Sequence, residues 1–148
     1  TTQSNDIVII NNSNNELRFD SKRVHIIIGD PTTDKTLDEA NIIFANTAII
    51  LTDLSLNPLE ADSRSLLIVL AVESKNSEVY TCAQLIDSSN NIHMQRANVD
   101  EVILLDVIGA DLAAASVMNK GSSKILSELV RYDQGSEIYR YEPPLPKK

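Results

Sequence analysis

Three aspartates stand where side chains could act on a ligand. Asp30, Asp53 and Asp106 each follow a short apolar run: residues 24–28 lead through Gly29 into Asp30, residues 48–51 through Thr52 into Asp53, and residues 101–105 directly into Asp106. Carboxylates that converge can share a hard cation such as Ca2+, which takes roughly six to eight oxygen ligands. Aspartate is also among the best helix-capping and turn-forming residues, because its short side chain accepts hydrogen bonds from nearby backbone N–H groups. Capping or turn stabilisation and a cation site are thus both open readings of Asp30, Asp53 and Asp106.

Catalytic chemistry has little to work with. No nucleophile has a base at a readable spacing, and no His or Cys set is spaced for a metal. His25 and His93 fall in a strand and a helix, and the single cysteine, Cys82, falls inside a strand, where a free thiol acts as a small apolar side chain. The four glycines, Gly29, Gly109, Gly121 and Gly135, lie too far apart to build a phosphate-cradling turn. Asn11 and Asn12 stand after the first strand, where an acidic ribose partner would be needed. The chain is therefore not expected to be an enzyme, nor to bind a nucleotide by itself. Asp62 and Arg64 are expected to form a solvated or intramolecular pair.

The elements that position these residues alternate. Apolar runs at 6–10, 24–28, 48–51, 79–85 and 101–105 have the length and composition of strands, and helical patterns over about 33–44, 59–74, 90–97 and 109–118 separate most of them. Leu37, Ala40, Asn41 and Phe44 mark one face of the first helix. The stretch 66–72 is apolar nearly all round, so its helix should be buried on more than one side. Short strands alternating with helices imply a parallel sheet covered on both faces, with ligands beyond the carboxyl ends of its strands. The helix over 109–118 is rich in small residues, which permit close helix approach. Gly121 should end it, a further helix should run to Tyr132, and 138–141 alternates like the start of an edge strand.

With 148 residues, 43% of them hydrophobic and 23% charged, the chain has the make-up of one globular domain. No apolar run approaches the ~20 residues that span a bilayer, and the polar N-terminus does not read as a signal peptide. The first residue is not Met, which leaves open a piece of a longer protein. A net charge of −8 argues against a nucleic-acid surface and suits a domain that meets cations. A receiver domain is disfavoured, because no strands ending in Ser or Thr and then in Lys follow Asp106.

Taken in order, Gly29-Asp30-Pro31-Thr32, Leu37-Asp38-Glu39-Ala40-Asn41, Ala48-Ile49-Ile50-Leu51-Thr52-Asp53 and Ala97-Asn98-Val99-Asp100-Glu101-Val102-Ile103 resemble the regulator-of-potassium-conductance (RCK) or TrkA N-terminal domain, entered at its second strand. Within that superfamily, Ala61-Asp62-Ser63-Arg64-Ser65-Leu66, Glu128-Leu129 and Gly135-Ser136-Glu137-Ile138 resemble the Castor and Pollux branch of ion channels. The resemblance implies a Rossmann-like α/β core over 1–106 without its first βα unit, a crossover and following helix over 107–132, and an edge segment and linker over 133–148. It implies a cytoplasmic domain of a membrane protein that regulates a cation or potassium channel. Its partners would be other copies of itself, in a dimer or gating ring, and the channel's pore domain, with no nucleic acid and no insertion of its own into the membrane. A dimer contact would involve Leu112, Ala115, Val117 and Met118. Ca2+ is the one cofactor suggested, with Asp30 as a ligand and Asp53 and Asp106 as further candidates, while Gln84 and Ile86 stand where the family's other acidic ligands would be. The different class left open is a fragment of a degenerate Rossmann-type nucleotide-binding enzyme or a soluble transporter-regulating subunit.

Overall fold

The computed structural model describes residues 6–12, 22–121 and 123–125. Among the described residues the strands and longer helices run in the order β1 (Ile7–Asn11), β2 (Val24–Ile28), α1 (Asp34–Glu39), β3 (Thr47–Ile50), α2 (Pro58–Lys75), β4 (Tyr80–Leu85), α3 (Asn91–Arg96), β5 (Glu101–Leu104) and α4 (Leu105–Met118). All pairing is parallel. β1 lies beside β2 with Ile7 opposite Val24, and a second sheet has the order β3-β4-β5. No ladder joins the two sheets among the described residues, as expected of a Rossmann-like sheet without its first βα unit.

The chain divides into two compact units, Thr1–Asp106 and Val107–Lys148. In the first, one apolar cluster joins Ile50, Val69, Ala83, Leu85, Met94 and Ala97, so that α2 and α3 both pack on the three-stranded sheet. A second cluster, Leu37, Ile42, Val72 and Val79, takes in Ile10 of β1 and Ala48 of β3 at its margin. Both sheets therefore meet at one apolar cluster although no strand ladder links them among the described residues. Lys75 fastens the end of α2 to α1, reaching Asp38 at 2.9 Å and Asp34 at 3.3 Å.

Local chemistry moves several boundaries. The helix expected over 33–44 stops at Glu39: Asn41 takes a left-handed backbone, φ 53°, which asparagine tolerates, and a 3-10 turn follows at Ile42–Phe44. The buried residues are accordingly Leu37 and Ile42, and Phe44 is 76% exposed rather than on the packed face. The stretch 66–72 is buried on one face only, through Val69 and Val72, while Leu67 and Leu70 are exposed. α4 starts directly at the end of β5, four residues ahead of Gly109, so Asp106 is its second residue and not part of a loop. Gly121 does interrupt the helix, with φ 95°. Residues 13–21 and the expected strand at 138–141 lie outside the described residues, and the helix expected to run to Tyr132 is described only at 123–125, which are helical.

Candidate functional site

The carboxyl ends of β2 and β3 and the first turns of α2 frame an open cleft of about 650 Å3, lined by Asp30, Thr32, Leu56, Glu60, Ser63 and Arg64. The approach to it is tight: a side chain on Gly29 would meet Thr36 Oγ1 at 2.6 Å, so only glycine lets β2 end against α1. Asp30 closes the turn that follows. Its Oδ1 accepts the Thr32 N–H at 3.0 Å and the Thr32 hydroxyl at 2.9 Å, and faces Arg64 Nη2 at 3.5 Å. These bonds to Thr32, with help from Arg64, hold its carboxyl below the ordinary 3.8 against a smaller opposing effect of burial.

Asp53 does the same one strand along. Its Oδ1 accepts the Ser55 hydroxyl at 2.6 Å and the Ser55 N–H at 3.0 Å, and these bonds, again with a contribution from Arg64, lower its carboxyl. Neither aspartate is the N-cap of its helix. Thr33 caps α1 and Asn57 caps α2, whose first helical residue is Pro58. Asn12, just past β1, also meets the Arg64 guanidinium through its amide oxygen, in the orientation that lets its amide nitrogen donate to the Gly29 carbonyl at 2.8 Å. Arg64 thus gathers the ends of β1 and β2, and its charge reaches Asp53.

Asp106 is engaged elsewhere, accepting the Ser88 N–H at 3.0 Å. Among the described residues no three His, Cys, Asp or Glu side chains are grouped to hold a metal ion. Gln84, at the position where the resemblance would place an acidic ligand, serves the sheet: its amide oxygen accepts the Thr52 N–H at 3.3 Å, and its carbonyl accepts the Thr52 hydroxyl at 2.9 Å.

The expected pairing of Asp62 with Arg64 is corrected. Arg64 turns to Asp30, whereas Asp62 is 3% exposed and accepts the N–H groups of Ile86 at 2.8 Å and Asp87 at 3.1 Å and the Asn90 amide at 2.8 Å. Helical spacing carried this signal, since Asp62, Ser65, Val69 and Val72 fall on one face and all four are buried.

Of the four residues expected at a dimer contact, Leu112 and Ala115 are half-buried, and Val117 and Met118 are 83% and 82% exposed. No residue of α4 is buried. Among the described residues no helix is long and apolar enough to cross a membrane.

A parallel, Rossmann-like α/β core with an open cleft at its strand ends, followed by an apolar helix, defines the class. The chain belongs to the TrkA-N domain family, whose model matches residues 1–105. It is 23% identical over 139 residues to the calcium-gated potassium channel TvoK of Thermoplasma volcanium, an alignment covering 92% of this chain and 39% of that protein. Among solved structures it is similar to the GsuK RCK domain, with TM-score 0.63 and 24% identity over 82% of this chain and 24% of that one. The human SLO3 gating ring aligns with TM-score 0.70 and 14% identity, over 91% of this chain and 26% of that chain. The chain therefore spans about two fifths of the length of its channel relative.

Proposed function

We propose that this chain is a cytoplasmic regulatory domain of a cation or potassium channel, within the Castor and Pollux branch, that assembles with other copies in a gating-ring arrangement. Its role is regulatory rather than catalytic. The observation that carries the reading is α4: a 14-residue helix bearing Val107, Ile108, Val117 and Met118 has no buried residue, in a TrkA-N-family chain whose relative TvoK is a calcium-gated potassium channel. Apolar helix surface of this kind is stabilised by a partner that removes it from water. The Castor and Pollux assignment is supported by Ala61-Asp62-Ser63-Arg64-Ser65-Leu66, the stretch that supplies both Arg64 to the cleft and the buried Asp62.

Light scattering on the purified chain tests assembly. A dimer or larger oligomer at micromolar concentration is expected, and Val117→Asp with Met118→Asp should convert it to a monomer. A wild-type chain that is monomeric at every concentration would sink the assembly reading.

Sensing of a divalent cation is the finer part of the reading, supported by two carboxylates, Asp30 and Asp53, already held ionised near one positive charge. A cation entering there takes over the charge that Arg64 supplies. Calorimetric titration with Ca2+ at low salt should then give saturable heat that Asp30→Ala abolishes and Arg64→Ala strengthens several-fold. Absence of heat at millimolar Ca2+ in both the wild type and Arg64→Ala would remove the cation and leave the assembly role.

A further inference from the structure

The turn from Ile86 to Asn90, at the carboxyl end of β4, is held by carboxylates from two helices. From α2, Asp62 Oδ1 accepts the Ile86 N–H at 2.8 Å, while Oδ2 accepts the Asp87 N–H at 3.1 Å and the Asn90 side-chain amide at 2.8 Å. From α4, Asp106 Oδ2 accepts the Ser88 N–H at 3.0 Å. Asp87 completes the set by taking the Ser89 N–H at 2.8 Å on its own carboxylate. Successive backbone N–H groups from 86 to 89 thus all end on carboxylates of the chain itself, at a strand end where a parallel sheet would otherwise present them to an anion.

The two ends of this arrangement differ in stiffness. Asp62 is buried, so losing a donor would leave a charged acceptor that water cannot readily satisfy, and the turn is bound firmly to α2. Asp106 is exposed, but it lies in the first turn of α4, which follows β5 without a loop to absorb movement. On α2, Asp62 is flanked by Glu60, Ser63 and Arg64, three of the side chains that line the cleft.

We propose that the 86–90 turn is a latch tying the first turn of α4 to the cleft end of α2, so that a displacement of α2 at the cleft is carried through Asp62, the turn and Asp106 to α4. The latch goes beyond the channel-regulatory reading and does not depend on which ligand the cleft takes.

Hydrogen exchange read by mass spectrometry on the whole chain tests it. Ser88→Pro removes the N–H that residue 88 gives to Asp106. It should fit without strain, because Ser88 opens a 3-10 turn and Asp87 before it is extended, φ −108° and ψ 114°. Exchange of the helical amides at 109–112 is expected to rise about three- to tenfold, with β3, β4 and β5 unchanged. Unaltered exchange in α4 would overturn the latch. The α2 arm is read with Asp62→Asn and with Asn90→Ala, which removes a single bond and keeps the measurement available if the first variant fails to fold. Faster exchange in both the turn and α4 is expected, and a rise confined to the turn would overturn the link to α2.

Discussion

At Asp30 and Asp53 the decisive chemistry is a hydroxyl and an N–H two residues ahead. Thr32 and Ser55 wrap each carboxylate in a tight turn, favouring its charged form and lowering its pKa. Because the folded values lie below the ordinary 3.8, both groups stabilise the folded chain fully above that value. The contribution fades as pH falls through the lowered folded values. Carboxyl titration by NMR should therefore give midpoints below 3.8 for both, and Ser55→Ala should bring that of Asp53 back toward it. Midpoints at or above 3.8 in the wild type would contradict these turns. Cys82 shows the opposite influence: burial, and then the Glu101 carboxylate, push its thiol upward, consistent with a packing role in β4.

Among the elements, α2 organises the domain. Asn57 accepts the Glu60 N–H at 3.0 Å and Pro58 presets the first turn, so the helix starts one residue ahead of Leu59. Asn57→Ala should lower stability by about 0.5–2 kcal/mol in urea unfolding. α1 illustrates the reverse case, where a periodic pattern overruns its helix. At Asn41, with φ 53°, substitution by Gly should be close to neutral, whereas a β-branched Val should cost roughly 1–2 kcal/mol. Equal costs for the two substitutions would argue against the left-handed stop.

Across the whole molecule, burial is uneven. Leu85, Ala83 and Val69 are fully buried around the three-stranded sheet, whereas Ile7, Val8, Ile26 and Ile28 of the two-stranded one are exposed. Parallel strands are ordinarily covered on both faces, so the β1–β2 pair is the less protected part. Amides of β3, β4 and β5 should exchange more slowly than those of β1 and β2. Leu85→Ala should cost about 2–5 kcal/mol, and Ile28→Ala much less. Comparable costs at Leu85 and Ile28 would overturn this division of the core.

The sequence by itself determined the strands, the parallel class and the family. Apolar runs with helices between them, and motifs such as Gly29-Asp30-Pro31-Thr32, are local patterns that the backbone must follow. It also placed the aspartates at strand ends, because strand and helix boundaries are written in neighbouring residues. Only the tertiary structure decided which distant groups the carboxylates meet. Arg64 meets Asp30 across 34 positions, Asp62 reaches Ile86 across 24, and Asp106 reaches Ser88 across 18. Such pairings depend on how α2 and the turns at the strand ends are brought together, and a hydrogen bond between residues so far apart leaves no periodic mark in either segment.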